Sequence, residues 1–269
     1  MGLMKGKKGI IFGVSNKRGI AYAIAQKLHE QGAEIAFTYA GEIMKDRVTP
    51  LAEKMDSKLI MECDVTNETQ IKDVFKEYKK IYERCDFVIH AVAFANREDL
   101  DGDFCKVSKE GWDLALGVSA YSLIPIVREA RPLMTEGGAI TTLSYLGSER
   151  TIPNYNVMGV AKAALEASVR YLALDLGGEQ IRVNALSAGP VKTLAAKGIH
   201  GFDILLKINA ARAPLKRVVT LEEVGNAGLY LSSDLSSGVT GEVHHVDSGY
   251  HSIANSRADA IIVGADPES

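Results

Sequence analysis

Cysteine is scarce in this sequence, and its few cysteines form no recognisable pattern. Cys63, Cys85 and Cys105 include no Cys-x-x-Cys pair, and their number is odd. Disulfide frameworks are typical of small secreted domains, whereas isolated thiols are normal in a reducing compartment. The sequence therefore predicts a cytoplasmic protein without structural disulfides.

Long apolar runs and a strong excess of one charge are also missing. No apolar run approaches the ~20 residues that span a bilayer. The run at residues 8–14 passes directly into a glycine turn, which predicts a buried strand rather than a signal peptide. The formal net charge is only −3 over 269 residues. We therefore expect neither nucleic acid nor a membrane as a partner.

The histidines do not form a metal-binding pattern. His244 and His245 are neighbours on a predicted strand, where successive side chains point to opposite faces. No cysteine or carboxylate completes a ligand set around them. His90 lies in an apolar predicted strand, where we expect a buried, hydrogen-bonded histidine. The sequence predicts no metal site.

Short apolar runs alternate with amphipathic segments along the chain. Strands are predicted at residues 8–14, 33–39, 58–65, 85–95, 137–145, 181–189 and 241–249. Helices are predicted at residues 19–32, 43–55, 68–84, 108–135, 155–177, 201–211 and 221–232. Apolar strands that are each followed by a helix favour a parallel sheet covered on both faces. We expect an α/β fold, a single-domain Rossmann-type doubly wound parallel sheet of about seven strands, over residues 1–254. Residues 255–269 lose the pattern and are predicted to form a tail.

The turn after the first predicted strand resembles a phosphate-binding loop, although its spacing is not Gly-x-Gly-x-x-Gly. Gly13 permits a tight turn, and Gly19 and Ile20 open the next helix. Small residues let the backbone approach a pyrophosphate at the positive end of a helix. A glycine turn also occurs without any ligand, so this feature alone leaves both interpretations open.

Residues at the ends of the next strands also suit a dinucleotide. Asp64, followed by Val65, can accept a hydrogen bond from an adenine amino group, or it can cap a helix instead. The small residues from Val92 to Ala95 leave room for a nicotinamide ribose, or they allow tight helix–sheet packing.

The acidic residue that commonly binds the ribose 2′-hydroxyl at the end of the second strand is missing. Ala40 follows that strand, and Lys45 and Arg47 lie shortly after it. These cations can meet a 2′-phosphate or form a solvated helix face. The choice between NADH and NADPH is therefore not decided here.

Tyr155 and Lys162 lie seven residues apart on a predicted helix that Pro153 would open. Seven residues are about two turns, so the two side chains share a face with Cα atoms ~10 Å apart. No tyrosine in the chain has the shorter Tyr-x3-Lys spacing of many reductases. On the pair alone, two unrelated surface residues are an equal alternative.

These motifs occur in order with "AFTY", "CDV", "LDGDF", "LSYLG" and "GEVHHVDSG" over residues 3–254. Together they closely resemble the bacterial enoyl-acyl-carrier-protein reductases of the divergent short-chain dehydrogenase/reductase type. A Tyr-x6-Lys motif with a second tyrosine, Tyr145, ten residues before the first is specific to that family. The resemblance implies reduction of a trans-2-enoyl thioester on acyl carrier protein with a nicotinamide cofactor, and a homotetramer.

The resemblance also implies roles for individual residues. Tyr155 would stabilise the enolate oxygen, and Lys162 would hold the nicotinamide ribose. Tyr145 would orient the substrate or relay a proton, with an aromatic wall of the cavity as an equal alternative. Cofactor contacts are implied for Val191, Thr193 and Ala195, in addition to the residues above. Substrate contacts are implied for Ala95, Met158, Ile199 and Phe202, with a lid near residues 195–214. Lys162 would also favour loss of the phenolic proton of Tyr155.

The long spacing has a chemical explanation. In ketone reduction, the carbon that receives the hydride also carries the oxygen that needs a proton. In enoyl reduction the hydride goes to the β-carbon, while negative charge develops on the thioester oxygen, three bonds away. A hydrogen-bond donor placed further from the nicotinamide suits the second reaction, and we expect Tyr155 to occupy that place.

Some positions depart from the family pattern. Gly19 stands where a serine is common, Ala93 where glycine is usual, and Ser248 interrupts the usual "VDGG". Ala40 stands where members that use NADH often carry glutamine. This departure weakens the preference, so NADH is favoured only slightly and NADPH stays open. The alternatives are a 3-oxoacyl or alcohol reductase on the same fold and a non-catalytic dinucleotide sensor.

Overall fold

A computed structural model describes residues 2–191 and 202–255 of the chain. Its strands are β1 (Lys8–Phe12), β2 (Glu34–Tyr39), β3 (Ile60–Glu62), β4 (Phe87–His90), β5 (Gly138–Ser144), β6 (Ile181–Ala188) and β7 (Val243–Val246). Its α-helices are α1 (Ile20–Glu30), α2 (Glu42–Glu53), α3 (Glu68–Tyr82), α4 (Lys109–Leu116), α5 (Leu123–Ala130), α6 (Asn156–Leu176), α7 (Phe202–Arg212) and α8 (Leu221–Ser232). Over the described ranges, no helix is both long enough and apolar enough to cross a membrane.

The seven strands just named form one sheet in the order β3-β2-β1-β4-β5-β6-β7, and each neighbouring pair is parallel. The chain leaves β1 in one direction and returns beside it as β4, so the order reverses between these two strands. In a parallel sheet this reversal opens a crevice at the carboxyl ends of the strands. The doubly wound fold expected from the sequence is confirmed.

Both faces of the sheet are buried under helices. On one face, Ile10 and Val88 pack with Phe75 of α3 and Leu165 of α6. On the other face, Ile11 and Ile35 belong to a second apolar cluster, which includes Ile24 and Leu28 of α1. Burial on both faces explains why the strands are apolar throughout rather than alternating.

The prediction of a single uninterrupted helix at residues 108–135 is wrong. A π-helical segment, Gly117–Tyr121, separates α4 from α5. The amide of Ser122 donates to the carbonyl of Gly117, and the Ser122 hydroxyl donates to the carbonyl of Val118 at 2.6 Å. Pro125 has no amide proton to continue an α-helical ladder at this point. These two causes widen the helix locally, as π-helical bulges do.

The helix that carries the Tyr–Lys pair also starts later than expected. Tyr155 is the residue that caps α6, with φ −120° and ψ −17°, and Pro153 lies in the turn before the helix. Pro153 therefore does not occupy the first helical turn. The predicted strands at residues 58–65, 85–95 and 241–249 are likewise shorter in the structure.

Glycine in α8 sets the position of α1, whose first turn faces the crevice. A Cβ atom at Gly225 would lie 2.8 Å from the carbonyl oxygen of Ala23. Alanine is otherwise the better helix former. We expect Gly225→Ala nevertheless to lower the free energy of unfolding by ~1–3 kcal/mol, because backbone must move to admit the methyl group.

Chemical denaturation of the purified protein measures this change. Gly238→Ala is the matched control, since a Cβ at Gly238 meets nothing within 4 Å, and its effect should stay within about 0.5 kcal/mol. Equal stability of the two variants would contradict the close approach of α1 and α8.

Candidate active site

A cavity of about 790 Å³ lies at the carboxyl ends of β1, β2 and β4. Among the residues that line it are nine expected from the sequence to be functional: Gly13, Gly19, Ile20, Ala40, Asp64, Val65, Val92, Tyr155 and Lys162. They come from six separate segments of the chain. The parallel topology brings them together because all the strand ends meet at the same edge of the sheet.

Gly13 is required by the turn that forms the floor of this cavity. It has φ +96°, and a Cβ atom there would lie 2.1 Å from the carbonyl oxygen of Ala91. Both the positive φ and this close contact exclude any residue with a side chain. The turn therefore keeps the ends of β1 and β4 close together.

The N-terminus of α1 opens into the same cavity. Gly19 precedes the helix in extended conformation, and no side chain in the described ranges caps it. Gly19, Ile20 and Ala21 line the cavity. The first amide groups of a helix have no partner within it and favour an anion. This end of the cavity fits the pyrophosphate of a dinucleotide.

Asp64 lies at the far end of the cavity in a tight turn. Its Oδ1 accepts hydrogen bonds from the amide and the hydroxyl of Thr66, at 2.9 and 2.7 Å. It does not cap the following helix, because Asn67 has that role in α3. The carboxylate is thus held in place at the cavity wall, where it can accept a hydrogen bond from an adenine amino group.

The cations near the end of β2 do not line this cavity. Lys45 pairs with Glu42 at 3.3 Å, and both are exposed. Lys45 and Arg47 are not among the described residues that line the cavity, whereas Tyr39 and Ala40 are. Among the described lining residues, Lys162 is the only lysine or arginine.

Lys162 is the most unusual group in the site, because its ammonium is buried. The residue is 5 % exposed, and its Nζ donates to the carbonyl oxygen of Leu143 at 2.7 Å. Burial lowers the pKa of Lys162 to about 8, and the negative charge of Glu166 acts in the opposite direction. The remaining two protons of the ammonium are available to hydroxyl groups in the cavity.

The rings of the two tyrosines are in contact with each other. The rings of Tyr145 and Tyr155 meet edge to face with their centres 5.0 Å apart. Burial raises the pKa of Tyr145 to about 12. Burial raises the pKa of Tyr155 still more, and Tyr145 and Glu166 add to that effect.

Burial thus acts against the loss of the Tyr155 proton that Lys162 is expected to favour. The surroundings of Tyr155 stabilise the neutral phenol, because an anion there would be poorly solvated and close to the charge of Glu166. A phenol that stays protonated near neutral pH is suited to donating a hydrogen bond.

His90 is a buried structural histidine, as expected. The Ser122 hydroxyl donates to Val118, so it accepts from Nε2–H of His90 at 2.8 Å. The other ring nitrogen, Nδ1, then accepts from the Thr142 hydroxyl, also at 2.8 Å. Burial lowers the pKa of His90 to about 3, with Lys162 contributing. The neutral ring ties β4 to β5 and to the π-helical segment.

Several other residues expected at the site are described by the structure but do not line this cavity. Met158 on α6 and Phe202 at the start of α7 are buried, and Val191 packs in the apolar cluster with α1. They are absent from the described cavity lining, as are Ala95 and Tyr145. Thr193, Ala195 and Ile199 lie outside the described residues, as do residues 195–201 of the expected lid and residues 256–269 of the tail.

Other residues at the site have little signal in the sequence. The cavity is also lined by Thr38, Tyr39, Met44, Cys63, Phe94, Leu114, Val118 and Leu143. Leu114 belongs to α4 and Val118 to the π-helical segment, which the apolar pattern does not indicate. Behind the cavity, Glu166 accepts hydrogen bonds from Ser144 and Ser148. Its position four residues after Lys162, on a helix that packs against the sheet, is a signal that sequence reasoning could have used.

The sheet order, the glycine turn and the open N-terminus of α1 define the class of protein, a Rossmann-type dinucleotide-binding fold. The sequence model of the enoyl-(acyl carrier protein) reductase family matches residues 13–251. The chain belongs to this family.

Curated relatives and solved structures agree with this assignment. The enoyl-(acyl-carrier-protein) reductase [NADH] 1 of Rhizobium meliloti is 53 % identical over 259 residues, which are 96 % of this chain and 95 % of that protein. The crystal structure of the reductase from Anaplasma phagocytophilum in complex with NAD has a TM-score of 0.91 at 50 % identity, covering 94 % of this chain and 97 % of that one. The Bacillus cereus reductase with NADP+ and indole naphthyridinone has a TM-score of 0.92 at 51 % identity, covering 95 % and 100 %.

The histidine network predicts unequal effects for two neighbouring threonines of β5. Thr142 bonds to His90, whereas the buried hydroxyl of Thr141 has no partner among the described residues. We expect Thr142→Val to lower the free energy of unfolding by ~1–3 kcal/mol, because it leaves a buried ring nitrogen unpaired.

Thr141→Val is the matched control and should be neutral or slightly stabilising, because it replaces a buried, unpartnered hydroxyl by a methyl group. Denaturant unfolding of both variants measures the difference. A larger loss of unfolding free energy in Thr141→Val than in Thr142→Val would contradict the described hydrogen-bond network.

Proposed function

We propose that this protein is an enoyl-(acyl carrier protein) reductase of type II fatty acid synthesis that uses NADH. The observation that carries the proposal is that Tyr155 and Lys162, at the seven-residue spacing, line one cavity together with the helix end and strand ends that fit a dinucleotide. Membership of the family and relatives named as NADH-dependent support it.

NADH supplies the hydride, which goes to the β-carbon of a trans-2-enoyl thioester. Negative charge then develops on the thioester oxygen, and Tyr155 donates a hydrogen bond to it. The raised pKa of Tyr155 suits this role, because the phenol keeps its proton until charge develops. Lys162 donates to the ribose hydroxyls of the nicotinamide half. Tyr145 packs edge-on against Tyr155. It either orients Tyr155 or relays the proton, ultimately from solvent, that the α-carbon gains to complete the reduction.

The cofactor preference follows from the end of β2. Ala40 offers no charge to a 2′-phosphate, and Lys45 is paired with Glu42. Both features favour NADH over NADPH. The Bacillus cereus structure contains NADP+, so the two cofactors belong in the same assay.

The remaining assignments rest on the family resemblance. The acyl chain is delivered on acyl carrier protein, residues 195–214 close over it as a lid, and residues 1–254 form the reductase domain. Val191, Thr193 and Ala195 bind the cofactor, and Ala95, Met158, Ile199 and Phe202 contact the acyl group. The protein acts as a homotetramer in the cytoplasm.

The activity itself is tested by mixing purified protein with a trans-2-enoyl thioester and following nicotinamide oxidation. We expect oxidation of NADH faster than that of NADPH. A matched 3-oxoacyl thioester should not support oxidation. Oxidation with the 3-oxo substrate alone would instead identify a ketone reductase, and oxidation with neither would favour a dinucleotide sensor.

The role of Tyr155 predicts a loss that is confined to turnover. Tyr155→Phe should lower kcat by about 10²- to 10³-fold, as removal of an oxyanion donor does, while the affinity for NADH changes little. Tyr171→Phe is the matched control on the same helix, because Tyr171 is 74 % exposed. Undiminished turnover in Tyr155→Phe would contradict the assigned role.

The buried lysine predicts a pH dependence of cofactor binding. Because burial lowers the pKa of Lys162 to about 8, the ammonium is charged below that pH and neutral above it. We expect the Kd for NADH to rise as pH increases through about 8. Fluorescence titration with NADH between pH 6 and about 10 measures this, and a constant Kd across that range would contradict it.

A further inference from the structure

Behind the two tyrosines lies a buried carboxylate to which the reaction assigns no role. Glu166 is 5 % exposed and does not line the described cavity. Its Oε1 accepts hydrogen bonds from the hydroxyls of Ser144 and Ser148, the latter at 2.7 Å. A buried charge is costly unless it is bonded in this way.

The two serines stand on either side of Tyr145 in the chain. Ser144 ends β5, and Ser148 ends a single turn, Leu146–Ser148. Ser148 Oγ is also 3.0 Å from the carbonyl oxygen of Tyr145. Glu166 thus fastens the segment that carries Tyr145 onto α6 at two points. Hydrogen bonds to an ionised acceptor are the strong ones.

The same turn lies directly against Tyr155. A Cβ atom at Gly147 would be 2.4 Å from the Tyr155 ring and 3.3 Å from the Tyr145 ring. A Cβ atom at Gly159, on the first turns of α6, would be 2.8 Å from the carbonyl oxygen of Gly147. The turn is therefore packed between both tyrosine rings and α6, so its position sets theirs.

Glu166 also lies one helical turn after Lys162 and faces the same interior. Its charge raises the pKa of Lys162 against the effect of burial. Three further titratable groups belong to this part of the described structure. His90 on β4 interacts with Lys162, Tyr155 lines the same cavity, and Tyr145 contacts Tyr155. Near neutral pH all three are uncharged, because burial lowers the pKa of His90 and raises those of the tyrosines.

We propose that Glu166 is a positioning residue of the active site. Through Ser144 and Ser148 it holds Tyr145 and Tyr155 in position, and its charge keeps Lys162 in the ammonium form. This inference deepens the proposed function and rests on it for the reaction, though its effect on cofactor binding does not require turnover. Glu166 is not itself a catalytic residue, because it is separated from the cavity by the residues it orients.

A merely structural glutamate would give a different result. If Glu166 only stabilised the fold, its replacement would lower stability and leave the pH profile of the remaining folded protein unchanged. The two effects proposed here are separable. Glu166→Gln keeps an oxygen acceptor and the side-chain volume but removes the charge. Ser148→Ala keeps the charge but removes one of the two fastening contacts.

The first experiment is NADH titration of Glu166→Gln as a function of pH. We expect the rise in Kd to move to lower pH than in the unchanged protein, because Lys162 loses the charge that favours its protonation. Asp175→Asn is the matched control, since Asp175 is an exposed carboxylate on the same helix, and its profile should not move. An unshifted profile in Glu166→Gln would overturn the electrostatic half of the proposal.

The second experiment measures turnover and NADH affinity in Ser148→Ala. We expect kcat to fall about tenfold or more, as small displacements of reacting groups do, with the NADH profile unchanged. A kcat within twofold of the unchanged protein would overturn the positioning half. Absence of turnover in the unchanged protein would reject the proposed function, while the titration of Glu166→Gln would still decide on Glu166.

Discussion

A buried ammonium group is the constraint on which the rest of the site depends. Lys162 is almost wholly enclosed, and such a group is tolerated only where it is hydrogen-bonded and near an opposite charge. The carbonyl of Leu143 at the end of β5 and the carboxylate of Glu166 meet these needs. Glu166 stands one turn further along α6 itself, whereas the bond to Leu143 requires α6 to lie closely against β5. That same packing presses the turn after β5 against α6 and brings Tyr145 and Tyr155 into contact.

The opposite end of the cavity is built mainly from backbone. Gly13 permits a close approach of the ends of β1 and β4, and the uncapped start of α1 presents amide groups rather than side chains. Gly225 lets α8 pack closely against α1, and this contact holds α1 in its place. Phosphate binding at this end thus needs little more than glycine in the right positions, while the chemistry at the other end needs particular side chains.

Much of this arrangement is predictable from the sequence because it depends on periodic patterns and chemically distinctive residues. Apolar runs followed by helices predict the parallel sheet, and Tyr155 and Lys162 stand out by type and spacing. The division of residues 108–135 is not predictable in this way, because Ser122 and Pro125 change the helix through single contacts. The neutral state of Tyr155 is equally hidden, since it depends on the burial of a group and on a carboxylate eleven residues away. For the same reason, sequence motifs alone do not predict a role for Glu166, although its spacing of four residues from Lys162 is visible in the sequence.

The central claim is that the seven-residue spacing between Tyr155 and Lys162 places the phenol on the thioester oxygen rather than at the carbon that receives hydride. A crystal structure of the complex with NAD and an enoyl thioester measures this directly. The account predicts the Tyr155 hydroxyl within hydrogen-bonding distance of the thioester oxygen, with Lys162 on the ribose hydroxyls. A Tyr155 hydroxyl that lies closer to the β-carbon than to the thioester oxygen would contradict it.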